Sequence, residues 1–241
     1  MSRISTSHDL LQQHLSISAP EFQSSQTPGW ITSLPGVSRV VKRLGVTEFR
    51  RRLFHMLPAL PPAILPFVNH PDVWGPLLMG SVAIITTVVI VLSIVLAPFV
   101  KRTGESDWRY AVWGYMIPVV VPLLIFPGRA EWGLMTLQIL ALGDGSATLG
   151  GLMLGNRRLP WNPKKSLAGL VCFACIGAIG ATYSFWGEAN PEVSLGTAFV
   201  ICSTAALSAG IVESLPIRSN DNLRVGMTAL IVGILMTVLL T

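Results

Sequence analysis

Apolar runs long enough to cross a lipid bilayer decide what this chain can fold into. A hydrocarbon core of about 30 Å takes on the order of 20 helical residues at 1.5 Å rise each. Such runs lie near 53–69, 75–98, 110–127, 131–154, 167–186, 195–214 and 224–241. Backbone polar groups facing lipid find no outside partner, so each run is expected to close its own hydrogen bonds as a helix. The fold class that follows is an all-α polytopic membrane protein of about seven transmembrane helices. Composition agrees, with 12% charged residues against about 25% in an average soluble domain. The first run is the least regular. Pro58, Pro61, Pro62 and Pro66 each remove a backbone donor, so freed carbonyls there need other partners and the run is expected to be kinked or re-entrant.

Residues 1–38 are rich in Ser, Gln and Pro and hold no apolar core of signal-peptide length. Residues 1–46 are expected to form a polar, disordered tail, and 47–241 the transmembrane domain. Cys172, Cys175 and Cys202 fall within apolar runs, where they are expected to pack as small apolar residues. The CxxC of Cys172 and Cys175 lacks the second pair or histidines that a zinc site requires.

Charge sets the orientation. With the N-terminus cytoplasmic and seven spans, the tail, the loops 99–109, 155–166 and 215–223, and Arg224 at the last boundary hold every Lys and Arg except Arg129. The opposite loops carry Asp72, Glu131, Glu188 and Glu192. This is the positive-inside pattern, and it requires the first run to count as a span. The net charge of +5 is thus accounted for by topology and contact with anionic lipid, and no nucleic acid is expected as partner.

Polar groups gather on that same side. Asp144 stands inside the fourth run, where a carboxylate costs about 2.5–3.5 kcal/mol and calls for a cation, a metal or a substrate. Gly143 and Gly145 flank it and are expected to let a phosphate approach the backbone, while Gly150, Gly151 and Gly155 suit close helix packing. Thr148 lies one turn on from Asp144 and shares its face. The basic loop after this run ends in Lys164-Lys165-Ser166. Ser166 is placed to cap the next helix, and a helix N-terminus beside lysines is an anion site suited to a polyphosphate. The glycines of a Walker loop are absent. Glu213 closes the sixth run, followed by Asn220-Asp221-Asn222, which is also ordinary turn composition. Three acids, Asp144, Glu213 and Asp221, are candidates for one or two magnesium ions. Arg51 and His55, four apart, share a helical face before the first run and suit a phosphate or the orienting of a catalytic group.

The strings RRLFH at 51–55, GDGSATLGG at 143–151, LPWNPKKSLAG at 159–169 and ESLPIRSNDNL at 213–223 resemble the dolichol kinase and phytol kinase family of CTP-dependent lipid-alcohol kinases. Phosphatidate cytidylyltransferase is a more distant relative of that family. Asn220 departs from it, because phytol-kinase-like members often carry an acid there. The resemblance implies transfer of the γ-phosphoryl group of CTP to the hydroxyl of a lipid alcohol in the bilayer, at the cytoplasmic face and with Mg2+. The alcohol is left open among phytol, farnesol, a polyprenol or dolichol, and diacylglycerol. Lys164, Lys165, Ser166 and Arg157 are then expected on the triphosphate, and Asn162 and Asn222 on the nucleotide. Asp144, Glu213 and Asp221 are expected on the metal or on the attacking hydroxyl. Other expected partners are surrounding lipids, with a homo-oligomer left open. Two rival readings are cytidylyl transfer to phosphatidate and a small ion-coupled transporter, although the internal repeats usual in transporters are not evident.

Overall fold

The computed structural model describes residues 41, 45–71, 75–95, 108–155, 157–217 and 219–241. Most of the expected tail, 1–46, and most of the loop 99–109 lie outside the described residues. The elements in chain order are α1 (Val46–Met56), α2 (Leu60–Ile64), α3 (Pro76–Val95), α4 (Trp108–Ile125), α5 (Ala130–Gln138), α6 (Asp144–Leu154), β1 (Arg158–Leu159), β2 (Asn162–Ser166), α7 (Leu167–Glu188), α8 (Leu195–Ser214) and α9 (Asp221–Leu240). A five-residue π-helical turn, Ile139–Gly143, joins α5 to α6. Among the described residues, four continuous helical segments are long and apolar enough to cross a membrane: Pro127–Leu154, Leu167–Glu188, Leu195–Ser214 and Asp221–Leu240. Pro76–Ile85 and Val112–Ile125 are shorter apolar helices. The protein is an all-α polytopic membrane protein.

Packing follows from side-chain size rather than from hydrophobic contrast. Lipid is as apolar as leucine, so helices associate where small residues let backbones approach. The inner face of α8 is Ala198, Cys202, Ala205, Ala206 and Ala209, all fully buried, and it packs against α7 and α9. Phe173 and Phe185 of α7, with Met135 and Ile139, fill the centre. The outward face of the same helices is also apolar, with Ile179, Phe199 and Val238 largely exposed, as expected of a lipid-facing surface. Cys172, Cys175 and Cys202 are free thiols, Cys202 buried and Cys175 exposed. Helix starts are capped by side chains: Ser194 accepts Thr197 N–H at 3.0 Å and Asn220 accepts Leu223 N–H at 3.1 Å.

The proline-rich run is not broken out of the bundle. It follows α1 through short 3₁₀ and α turns as far as Phe67, and the bundle supplies the partners its prolines remove. Pro66 has no N–H to give the Pro62 carbonyl four residues back, and Ser184 Oγ donates to that carbonyl at 3.3 Å. Gln138 Nε2 donates to Ser184 Oγ at 2.9 Å and to the Ala59 carbonyl at 3.2 Å. A buried amide and a buried hydroxyl thus tie this segment to α5 and α7.

Gln138→Leu removes both donations and leaves a buried carbonyl short of a partner, a loss of about 1–3 kcal/mol. Thermal unfolding in detergent micelles is expected to show Tm lowered by several degrees, with membrane insertion unchanged.

Candidate active site

The π-helical turn at Ile139–Gly143 is where the fourth run acquires its function. Its wider winding shifts every residue that follows around the helix axis, and Asp144 is the first of them. The carboxylate meets α1: Arg52 Nη1 donates to Asp144 Oδ2 at 2.5 Å, and His55 Nε2 lies 3.4 Å from the same oxygen. His55 Nε2 is also 3.2 Å from the Leu140 carbonyl. A carbonyl only accepts, so the proton sits on Nε2. The ring packs edge-on against Tyr115, with centroids 5.0 Å apart. Arg51 stands in the same field and acts electrostatically on both Asp144 and His55. The expected pairing of Arg51 with His55 is joined by Arg52, which sequence reading passed over. Its spacing of three from His55 shares a helical face as well as a spacing of four does.

The basic loop expected after α6 is an antiparallel hairpin. Arg158 pairs with Ser166 and Leu159 with Asn162, with one irregularity between. Its fixing points are polar. Trp161 Nε1–H donates to Ser214 Oγ at 2.9 Å, and Asn162 Nδ2 donates to the Ser214 carbonyl at 2.9 Å. Asn162 Oδ1 accepts Lys164 N–H at 3.1 Å. Asn162 is therefore a buried anchor of the hairpin on the end of α8, in place of the nucleotide contact expected of it. Ser166 caps α7 as expected, accepting Gly169 N–H at 3.1 Å. Lys165 Nζ forms an ion pair with Glu213 at the end of α8 and acts on Asp144 through space.

A cavity of about 530 Å³ opens among these elements, within the size range of small-ligand sites. Thr148 and Gly151 of α6, Arg158, Lys164, Lys165 and Ser166 of the hairpin, Gly169 of α7, and Glu213 and Ser214 of α8 form most of its wall, with Arg52 reaching in from α1. Asp144 is not in that wall; Arg52, which is, joins the two. Thr148 Oγ1 donates to the Asp144 carbonyl at 3.2 Å.

Several expected residues stand elsewhere. Gly143 and Gly145 admit neighbouring side chains, not a phosphate. A Cβ on Gly143 would come 2.9 Å from the Phe173 ring, and one on Gly145 would overlap Met56. The glycine that faces the cavity is Gly151. Arg157 is exposed outside the wall, where its carbonyl accepts Leu167 N–H at 2.9 Å, and Arg158 takes its expected place. Asp221 begins α9, 64% exposed and paired with Arg224 at 2.9 Å, where a carboxylate also suits the helix dipole. Asn222 lies outside the cavity wall. Among the described residues, no three His, Cys, Asp or Glu side chains converge closely enough to hold a metal ion by themselves. Asp144 and Glu213 are the acids within each other's electrostatic reach beside Lys165.

Comparison with known proteins gives the same direction as the motifs. The chain is similar to plant phytol kinases. A probable chloroplastic phytol kinase 2 of Oryza sativa is 39% identical over 101 residues, which cover 39% of this chain and 32% of the relative. Phytol kinase 1 of Arabidopsis thaliana is 25% identical over 126 residues, covering 50% and 41% respectively. Farnesol kinase of Arabidopsis thaliana is 31% identical over 104 residues, covering 40% and 33%. The matched stretches thus span less than half the length of these relatives. No family model matches the chain, and no solved structure matches it significantly. The resemblance read from the four strings is matched by relatives that carry the names of kinases of phytol and of farnesol.

Asn162→Ala frees the hairpin from α8. Limited proteolysis is expected to cut between 157 and 166 several-fold faster than in the wild type, with little change in the Tm of the helical bundle.

Proposed function

We propose that this protein is a membrane-embedded kinase that transfers the γ-phosphoryl group of CTP to the hydroxyl of a lipid alcohol. The observation that carries the reading is the cavity itself. Arg52, Arg158, Lys164 and Lys165 and the capped start of α7 line one side of a space next to two carboxylates, in a protein whose relatives are named for lipid-alcohol kinases. Phosphoryl transfer asks mainly for positioning and charge neutralisation, and this wall supplies both. In the reaction the alcohol oxygen attacks the γ-phosphorus, and its proton passes to a carboxylate. The bond from the γ-phosphorus to the β,γ-bridging oxygen breaks, and that electron pair leaves with CDP. Asp144, on the far side of Arg52 from the cavity, is the proton acceptor we assign. Lys164, Lys165 and Arg158 hold the triphosphate, and the free N–H groups at the start of α7 add their dipole.

Magnesium fits this donor set in part. The ion takes one or two carboxylates together with phosphate oxygens and water, which matches Asp144 and Glu213 but does not require Asp221. When bound, it draws negative charge from the phosphate oxygens.

The acceptor lives in lipid and the donor in water, so a site at the boundary solves a phase problem. We place that boundary at the cytoplasmic face, with seven spans and a cytoplasmic N-terminus. Support comes from the sidedness of Lys and Arg and from the gathering of α1, the hairpin and the ends of α6 and α8 around one cavity. Reporter fusions at residues 160 and 190 that score on the same side of the membrane would overturn this topology.

Purified protein supplied with γ-labelled CTP and a panel of phytol, farnesol, a long polyprenol and diacylglycerol is expected to move label into lipid. Cytidine in the lipid with release of pyrophosphate would establish the cytidylyltransferase instead, and ion-driven flux without CTP turnover the transporter. Asp144→Asn is expected to lower transfer by at least a hundredfold in a protein that still inserts and folds. Turnover within a few-fold of wild type would remove Asp144 from its role. Lys165→Ala is expected to raise KM for CTP at least tenfold, since charge-assisted hydrogen bonds contribute about 1.5–3 kcal/mol.

A further inference from the structure

Arg52 occupies a position that the proposed reaction does not yet use. Its guanidinium lines the cavity together with Lys164, Lys165 and Arg158, and its Nη1 is bonded at 2.5 Å to Asp144 Oδ2. Asp144, one bond further in, does not line the cavity. Glu213 is held in the same manner, by Lys165 from the same wall. Without nucleotide, each of the two acids is therefore neutralised by a cation that also faces the nucleotide space. A carboxylate bound to a guanidinium in a part-buried site, where both side chains are about one-quarter exposed or less, is a poor proton acceptor, because the ion pair favours its charged form.

Resting on the kinase reading above, we propose that Arg52 is a phosphate-binding residue that exchanges partners during the reaction. It holds Asp144 while the cavity lacks nucleotide, and it turns to the terminal phosphate when a triphosphate enters. The physical basis is competition for one planar donor fork. Arginine binds carboxylate and phosphate by the same paired N–H geometry. A nucleoside triphosphate brings several negative charges to compete with the single charge of Asp144. The exchange has two results at once. The guanidinium neutralises charge on the transferring group, and Asp144 is uncovered toward the cavity to accept the alcohol proton. Nucleotide binding thereby comes before activation of the acceptor, which keeps a strong base from standing open beside the bilayer when no donor is present. His55, 3.4 Å from the same oxygen, keeps the carboxylate in place after Arg52 leaves.

The test is a double-mutant cycle on CTP binding and turnover, using Arg52→Gln, Arg52→Lys, Asp144→Asn and the two combinations with Asp144→Asn, each purified in detergent with CTP as the titrant. Arg52→Gln is expected to weaken CTP binding about tenfold or more, and Arg52→Lys to restore part of that affinity, because a point charge replaces the fork. Asp144→Asn is expected to tighten CTP binding several-fold in the wild-type background by releasing Arg52. In the Arg52→Gln background that tightening should shrink to less than half. If Arg52 only holds Asp144 in place, Arg52→Gln will lower kcat while leaving CTP affinity unchanged, and the proposal fails. Equal tightening by Asp144→Asn in both backgrounds would likewise overturn it. Wild-type protein that neither binds CTP nor phosphorylates any alcohol would defeat the kinase reading itself, a result distinct from either of these.

Discussion

One buried carboxylate organises this molecule. Asp144 sits in a helix long and apolar enough to cross a membrane, where an unpaired charge is not tolerated. Its partners come from the segment least suited to a membrane, the arginine-rich α1. The ion pair of Arg52 with Asp144 ties that amphipathic helix to the centre of the bundle. From it follow the seating of the proline-rich run against α5 and α7, the position of His55 against Tyr115, and the shape of the cavity beside them. The π-helical turn is the local device that makes the meeting possible, because it rotates α6 relative to α5 while leaving the transmembrane segment continuous.

The second organising contact is the hairpin between α6 and α7. Its four cations would repel one another in a loop left to itself. They are held together because Trp161 and Asn162 bond to Ser214 and because Lys165 meets Glu213. The anchoring interactions are side chain to the last turn of α8, so the cation cluster and one of the two acids are fixed by a single junction. This arrangement gives a rigid, basic wall opposite mobile lipid substrate, which suits a reaction whose catalysis rests on placement.

Much of the plan was legible in the residues alone. The apolar runs gave the helices, the sidedness of lysine and arginine gave the topology we propose, and the cost of a charge in lipid singled out Asp144. The N-cap at Ser166 followed from residue type and position, since a serine before an apolar run has few other uses. The errors were of one kind. Gly143 and Gly145 were expected to face a phosphate and instead admit Phe173 and Met56. Asn162 was expected on a nucleotide and is an anchor. Arg157 was expected in the site and Arg158 is there. In each case the residue belongs to the right segment, but its facing depends on a rotation that periodicity does not carry.

The sequence by itself determined that the chain crosses the membrane, which charges lie on one side, and which few polar groups must find partners inside. Those are consequences of solvation, and solvation is a property of residue type. Only the tertiary structure decided that Arg52 and not Arg51 bonds the carboxylate, that Asp144 and Glu213 share the reach of Lys165 while Asp221 pairs with Arg224, and that a proline-broken run is completed by Gln138 and Ser184. The reason is geometric. Which side chains meet depends on the winding of a π-helical turn and the register of a two-stranded hairpin, and each shifts facing by a fraction of a helical turn that no local pattern specifies.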